Sequence, residues 1–255
     1  MSLIYKFQKP LIEGVIKSRP NRFIMNVQIS NGVFKCHCPV TGRIGEIHFS
    51  DVPCLLSESD NLNRKTRYTV EAISLDSISR KNKTWIGINQ TKINVYVEFF
   101  IKNNCLPKMI TGKNISREKR LGNSRIDFLI DNTYLEVKMP LISFPFENSK
   151  SDFILQKPKT KFNSFDRLIK HFNDLSTDIK NHRAIVLLAF IYDAPAFTPP
   201  KSDNTNNVVR TAAKQAAKKG IENWQINLKI NKTGIELQKY FKLKLFGVDV
   251  HKINR

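Results

Sequence analysis

Asp127, Glu136 and Lys138 fall within one short segment, SRIDFLIDNTYLEVK, and have the side-chain types that phosphodiester hydrolysis requires. Two neighbouring carboxylates repel each other unless a cation lies between them, and Mg²⁺ commonly takes one or two carboxylates together with waters and a phosphate. A lysine beside them can orient the attacking water or offset charge on the scissile phosphate. We therefore predict a catalytic site that binds Mg²⁺ or Mn²⁺. The alternative is a salt-bridged strand face, because such triplets also arise by chance.

The local fold of this segment decides whether the two acids meet. Apolar and polar residues alternate on both sides of the dipeptide DN, which predicts two strands. If DN forms a two-residue hairpin loop, Ile130 pairs with Thr133 and Asp127 lies opposite Glu136, with Cβ atoms about 4.5–5.5 Å apart. A shift of the register by one residue would put the carboxylates on different faces of the sheet.

The rest of the chain divides into a strand-rich part and a mixed part. Before residue 76, alternation predicts a strand at 22–29, and segments bounded by turn residues predict further strands at 33–38 and 68–75, which favours a small barrel or sandwich. The polar stretch 76–83 then marks a domain boundary or a hairpin tip. The elements predicted after it are helices at 94–102, 162–175 and 208–219 and strands at 125–130, 133–137, 183–192, 224–230 and 235–245.

The charge of the chain indicates a polyanionic partner. Its 255 residues include 42 Lys and Arg against 22 Asp and Glu, a net charge of +20. Such an excess favours nucleic acid, through phosphate neutralisation and counterion release, over a merely solvated surface. An anionic membrane is less favoured, because alanines rather than large apolar residues flank the basic stripe of helix 208–219. The mixed N-terminus contains no secretory segment, so we expect a cytoplasmic protein that does not bind membranes.

Exposed basic side chains are the predicted nucleic-acid contacts. In the strand-rich part they are Arg22, Arg43, Arg64, Lys65 and Arg67, with Tyr68 as a stacking group. Phe23 could also stack, but we expect it mainly in the core. In the mixed part they are Arg125 and the helical stripe of Arg210, Lys214 and Lys218. No helix-turn-helix or zinc-finger spacing is present, so we expect binding without strong sequence preference.

Several separated motifs occur in order along the chain. They are HCPVTGR at 37–43, SDNLNRKTRYT at 59–69, WIGIN at 85–89 with Asn94 following, REKRLGNSRIDF at 117–128, YLEVK at 134–138 and HRAIVLL at 182–188. Together they resemble the sugar fermentation stimulation protein (SfsA) family over nearly the whole chain.

This resemblance implies an α+β fold, with an N-terminal OB-like β-barrel at 1–83 followed by a mixed α/β nuclease-like domain of the PD-(D/E)XK type at 84–255. It also implies DNA binding of low sequence specificity and a link to sugar (maltose) utilisation. The nuclease motif falls on Glu118, Asp127, Glu136 and Lys138, where the three acids would hold the metal.

Two departures from the family pattern leave the function open between two hypotheses. Val40 stands where the family usually has Asn, and FILQKPKTKFNSFDRL at 153–168 cannot be aligned with it. The first hypothesis is a DNA-binding nuclease that uses Mg²⁺ or Mn²⁺. The second is a non-catalytic DNA-binding regulator of sugar metabolism with a vestigial site. RNA remains a further possible partner, since charge does not separate DNA from RNA.

Overall fold

A computed structural model of the chain describes residues 3–30, 32–40, 42, 44–45, 47–142, 144, 165–177, 179–198 and 206–244, without the side chains of 165–169 and 206–210. In chain order its elements are β1 Ile4–Lys6, β2 Ile12–Asn21, β3 Ile24–Ile29, β4 Gly32–His37, β5 Val52–Glu58, β6 Tyr68–Ile73, β7 Ile86–Gly87, α1 Ile93–Lys102, β8 Ile115–Leu121, β9 Ser124–Ile130, β10 Thr133–Lys138, α2 Phe165–Thr177, β11 Arg183–Phe190, α3 Asn206–Lys218, β12 Glu222–Ile230 and β13 Gly234–Lys242.

Strands β2 to β6 form a closed five-stranded barrel. They follow the order β4-β3-β2-β5-β6, and the ring closes where β4 pairs with β6 in parallel through His37 and Thr69. Met25, Val27 and Val70 point inward and are fully buried. Closure removes the exposed sheet edges that an open sheet of this size would have. The predicted OB-like barrel is therefore confirmed.

The second layer is a seven-stranded mixed sheet in the order β1-β13-β12-β11-β10-β9-β8. Strands β10, β11 and β12 run parallel to one another, and the other neighbours are antiparallel. The central strand β11 has the sequence RAIVLLAF, and its continuous apolar run is what burial on both faces requires. The predicted mixed α/β domain is confirmed.

Helices cover both faces of this sheet. On one face, the sheet residue Phe128 shares the main core with Phe100 of α1 and with the barrel. On the other face, Phe172 and Leu175 of α2 and Ala216 of α3 pack against a smaller group of sheet residues. The two sides of the sheet are thus different environments, and β9 and β10 present side chains to both.

The described strands cross the predicted division at residue 83 in both directions. β1 pairs with β13 in the second sheet, although it lies in the segment assigned to the barrel. β7 follows the division but pairs with β6 of the barrel. The two parts are therefore joined by strand pairing as well as by a shared core, and the division itself stays a prediction.

Strand β8 was not predicted individually from the sequence, and neither were β1, β2, β5 and β7. β8 reads ISREKRL and is exposed at its five central residues, so it has no inward-facing alternation to reveal it. Its position is fixed instead by antiparallel pairing with β9. Within the described ranges, none of the helices combines the length and apolar character needed to cross a bilayer.

Candidate active site and nucleic-acid surface

The hairpin β9–β10 positions the two predicted catalytic acids. Ile130 pairs with Thr133, as predicted, and the ladder continues to Phe128 with Leu135. At the next position side-chain contacts replace the ladder: Asp127 Oδ2 accepts the Val137 N–H at 2.8 Å. The Asp127 N–H in turn donates to Glu136 Oε2 at 3.4 Å. The two acids are neighbours, therefore, but they are joined through side-chain-to-backbone bonds rather than as the direct ladder pair that the sequence predicted.

Glu136 is 2% exposed, and its carboxylate contacts two nitrogen groups. Its Oε1 accepts from Lys138 Nζ at 2.5 Å and lies 2.5 Å from Nδ1 of His171, which α2 supplies. Burial alone would raise the pKa of Glu136, but the bonds from His171 and Lys138 and the charge of Lys138 hold it below its ordinary value. Because an ionised carboxylate only accepts hydrogen bonds, Nδ1 of His171 must carry a proton.

The pKa of Asp127 is shifted in the opposite direction, above its ordinary value. Burial and the charge of Glu136 raise its pKa, and the bonds from the Val137 N–H and Asn94 only partly offset this. Asn94 Nδ2, in the first turn of α1, donates to Asp127 Oδ1 at 2.8 Å. The Asn94 Oδ1 atom is buried without a hydrogen-bond partner. Neighbouring acids with pKa values shifted in opposite directions are typical of functional sites.

The oxygen atoms at this place fit a hard divalent cation. Asp127 and Glu136 supply carboxylate oxygens, and Asn94 supplies an amide oxygen that lacks a partner. Carboxylate and amide oxygens are the donors that Mg²⁺ and Ca²⁺ prefer. Among the described residues, however, no three His, Cys, Asp or Glu side chains are grouped closely enough to enclose a metal ion. A cation held here would therefore keep open positions for water or substrate oxygens.

Glu118 does not join the other two acids. It lies across β8–β9 from Asp127, between the pairs Arg117 with Phe128 and Lys119 with Ile126. Its backbone φ of 50° falls in the left-handed region, which interrupts the ladder there. The side chain is 66% exposed and forms an ion pair with Arg125 Nη1 at 3.1 Å. In this arrangement Glu118 is not a ligand beside Asp127 and Glu136, contrary to the prediction, and Arg125 is partnered by it.

Two residues of the site were not assigned a role from the sequence. Asn94 was noted only as part of a motif, and His171 lies in a helix whose predicted face drew attention to its apolar residues. The available signal was position, since His171 precedes Phe172 and lies one helical turn before Leu175, both buried. A polar residue on the buried side of an amphipathic helix needs a partner, which here is Glu136.

The predicted contacts at the barrel fall into exposed and buried groups. Arg22 is exposed, and its guanidinium lies 4.6 Å from the ring centre of Phe23. The expectation that Phe23 belongs to the core is wrong, since it is 43% exposed. It precedes β3, in a turn capped by Asn21 Oδ1, and so escapes the inward alternation of that strand. Arg22 and Phe23 together form a cationic and aromatic surface suited to a base or a phosphate.

The predicted contacts in the loop before β6 and at its first residue also include both exposed and buried side chains. Arg64 and Lys65 are exposed. Arg67 is exposed but is ion-paired with Glu58 at 2.5 Å. Tyr68 is 7% exposed and packs edge-on against Phe34, so the predicted stacking role does not agree with its burial. The predicted contact Arg43 lies outside the described residues.

The helical stripe on α3 is exposed where it is described. Lys214 and Lys218 are exposed, one turn apart. Ala216 and Ala217 are both buried, and Ala216 packs against the sheet and α2. The helix therefore presents cations outward and small apolar residues inward. The side chain of Arg210 lies outside the described part of the chain.

Comparison with known proteins establishes the family. Residues 18–88 match the model of the SfsA N-terminal OB domain. A sugar fermentation stimulation protein homolog of Nostoc punctiforme is 31% identical over 257 residues, covering 96% of this chain and all of that protein. A homolog of Clostridium novyi is 30% identical over 227 residues, covering 86% of this chain and 91% of that protein. The chain belongs to the sugar fermentation stimulation protein family.

A solved structure of this family has the same fold. The SfsA protein of Pyrococcus furiosus, determined in complex with Ca²⁺, matches with a TM-score of 0.71 over 96% of this chain and 99% of that one. The sequence identity is 21%, so the match concerns the fold. The barrel and the seven-stranded sheet described above are thus the architecture of an SfsA protein.

Proposed function

We propose that this SfsA family protein binds nucleic acid with little sequence preference and hydrolyses its phosphodiester bonds at Asp127, Glu136 and Lys138. The observation that carries the proposal is the contact of the buried Glu136 carboxylate with the backbone N–H of half-buried Asp127 on the adjacent strand, with a lysine on the same carboxylate. Their opposite pKa shifts support a site rather than a solvated strand face.

A divalent cation is part of this proposal. Asp127 and Glu136 would hold Mg²⁺ or Mn²⁺, with the amide oxygen of Asn94 nearby. The cation would supply a Lewis acid for the phosphate and lower the pKa of a bound water. That a family relative was crystallised with Ca²⁺, another oxygen-seeking ion, is consistent with such a donor set.

The chain's own side chains have separable roles. The side chain of Lys138 is 32% exposed, so it can reach a phosphate or a water while it stays close to Glu136. His171 of α2, whose side chain is 6% exposed, fixes the orientation of the Glu136 carboxylate. We therefore assign Lys138 a catalytic role and His171 a positioning role.

The exposed basic surface supports a nucleic acid as the binding partner. Exposed cations lie on the barrel at Arg22, Arg64 and Lys65 and on α3 at Lys214 and Lys218. Phosphate neutralisation at dispersed cations gives affinity without reading bases, which agrees with the predicted low specificity. The same contacts allow RNA binding, so both polymers belong in the binding assay.

Plasmid nicking tests the proposed hydrolysis. The purified protein with Mg²⁺ or Mn²⁺ should nick supercoiled plasmid, and D127A should not. D51N is a suitable control, because Asp51 is an exposed acid paired with Lys17 and Asn tolerates its left-handed backbone. D51N should nick plasmid as the wild type does. D127A should still bind DNA as the wild type does, which separates a loss of hydrolysis from a loss of binding.

The second candidate, a non-catalytic DNA-binding regulator of sugar metabolism, is favoured by one observation. Glu136 already forms an ion pair with Lys138 and a hydrogen bond with His171, so its charge does not require a cation. If wild type and D127A bind plasmid equally and neither nicks it with either metal, this candidate replaces the first.

A further inference from the structure

A cavity of about 530 Å³ lies between the barrel and the start of α1, and its lining does not include Asp127 or Glu136. Its wall contains the aromatic residues Tyr5, Phe7 and Tyr96, and its lining includes Glu71, Asn89, Arg64 and Lys92. Three of the motifs that identify the family, HCPVTGR, SDNLNRKTRYT and WIGIN, contribute residues to it. The volume falls in the range of small-molecule sites. The function proposed above uses Arg64 as a phosphate contact and assigns no role to the other residues of this cavity.

Glu71 is a buried carboxylate without a cationic partner. It is 5% exposed, and its oxygens accept from Ser57 Oγ at 2.6 Å and from Asn89 Nδ2 at 2.8 Å. Both donors are neutral, and among the described residues no Lys, Arg or His lies within ion-pair distance of it. A buried carboxylate in this state retains lone pairs and negative charge that a donor-bearing ligand can use.

Unpaired cations lie on the same cavity. Arg64 is exposed and donates to Thr69 Oγ1 at 3.3 Å. Lys92 is exposed at the N-cap of α1, where no side chain caps the first turn. Within the described ranges neither side chain forms an ion pair with a carboxylate. The two other carboxylates of the lining, Glu58 and Asp60, are already paired with Arg67 and Lys9. The charges left without an ion-pair partner are therefore Glu71, which is buried, and Arg64 and Lys92, which are exposed beside the amino end of a helix that itself favours anions.

The aromatic wall of the cavity favours a ligand that contains a flat ring. Tyr5 contacts Phe7, Tyr96 and Phe99 edge-on, with ring centres 5.1 to 6.2 Å apart. A zwitterionic amino acid would satisfy the two charges, but it would leave most of the volume and this wall empty. A planar base with N–H donors, joined to a phosphate, satisfies all three features.

We propose that this cavity binds a guanine nucleotide, with the base N–H groups on Glu71 and the phosphate at Arg64 and Lys92. Guanine is the common base that presents two adjacent N–H donors, which complements an acceptor-only carboxylate. The nucleotide could be free or could be one unstacked unit of a strand, and the chemistry of recognition is the same. The proposal does not depend on hydrolysis at Asp127.

Calorimetric titration of the full chain tests this site with GMP, AMP and two 5′-phosphorylated tetranucleotides, one containing a single guanine and one none. We expect GMP, or the guanine-containing tetranucleotide alone, to bind better than its partner ligand. Binding of GMP identifies a free nucleotide, and binding of the tetranucleotide alone identifies a unit of a strand.

Two variants locate the binding. E71Q preserves size and should weaken guanine binding about tenfold or more, because hydrogen bonds to a charged acceptor are the strong ones. R64A should weaken it by about tenfold. K35A, which removes an exposed cation of β4 outside the cavity, is the matched control and should bind as the wild type does.

Three results would overturn the proposal: no saturable binding of any of the four ligands, equal binding of guanine and adenine ligands, or unchanged binding in E71Q and R64A. A thermal melt of each variant shows whether it is folded, and R64A keeps the test decisive if E71Q is not. D127A should retain guanine binding, so a failure of the nicking assay leaves this result readable.

Discussion

Two buried glutamates, Glu136 in the sheet and Glu71 in the barrel, show how differently one chain treats the same charged group. Both are at most 5% exposed. Glu136 is paired with Lys138 and His171, whereas Glu71 accepts only from Ser57 and a neutral amide. The first charge is compensated within the protein, and a bound cation must share its carboxylate with existing partners. The second is left for whatever enters the cavity. This difference agrees with the two proposals made above, which give Glu136 a catalytic role and Glu71 a role in ligand recognition.

The largest expected effect is on catalysis at the compensated site. D127N keeps the size of the side chain and an acceptor for the Val137 N–H, but removes the charge that would face a bound cation. We expect plasmid nicking in Mn²⁺ to fall by at least about a hundredfold, measured from initial rates. Nicking by D127N at more than a tenth of the wild-type rate would place the chemistry elsewhere.

The next effect is on stability, and it distinguishes Glu136 from Asp127. Because the pKa of Glu136 is lowered in the folded state, its ionised form stabilises the fold above its ordinary pKa, and this is lost as the pH falls through the lowered value. E136Q should therefore lose about 2 kcal/mol of unfolding free energy at pH 7, measured by urea denaturation. The deficit should shrink in acid.

D127N should behave in the opposite way. The folded-state pKa of Asp127 is raised, so ionisation costs stability once the pH rises above its ordinary pKa and through the raised value. Replacement by Asn should therefore increase the unfolding free energy at pH 7 and change it little at acid pH. If both variants shift stability in the same direction at pH 7, the assigned charge states are wrong.

A smaller effect is expected at the uncompensated glutamate. E71Q keeps one acceptor oxygen, and the Ser57 hydroxyl can accept from the new amide. We expect its unfolding free energy at pH 7 to stay within about 1 kcal/mol of wild type, less than the change in E136Q. A larger loss in E71Q than in E136Q would reverse the comparison and make Glu71 a structural group.

The smallest effect concerns the surface cations. Replacing Lys214 and Lys218 together by alanine should reduce the slope of log K against log salt by about 2 for duplex DNA, because each phosphate contact contributes about 0.9. The measurement is fluorescence anisotropy over a salt series. K229A, an exposed lysine on β12, is the single-charge control. An unchanged slope in the double variant would remove α3 from the interface.

The sequence predicted the parts of the site that depend on local pattern. The hairpin β9–β10 follows from alternation and a two-residue loop, and its register is fixed at Ile130 and Thr133. The position of His171 could not be predicted, because it depends on how α2 packs on a sheet formed largely from other segments. Glu118 failed for a local reason, since its left-handed backbone interrupts β8 where alternation would have continued.

The barrel shows the same division between local and tertiary information. The strand predicted at 68–75 is observed at Tyr68–Ile73, but its residues are all buried, so no alternation distinguished Glu71 from its apolar neighbours. The cavity beside it is formed by β1, the barrel and the start of α1, which only the folded chain brings together. At Phe23 the sequence pattern misled instead: the apolar alternation of the predicted strand includes Phe23, but β3 begins at Ile24 and Phe23 is exposed.

Binding of Mn²⁺, followed by the loss of its free-ion electron paramagnetic resonance signal, tests the central claim most directly. We expect the wild type to bind one ion, D127N and E136Q to lose that binding, and E118Q to retain it because its side chain is exposed and paired with Arg125. Mn²⁺ binding that is absent from the wild type, or that survives in both D127N and E136Q, would contradict a cation site at this acid pair.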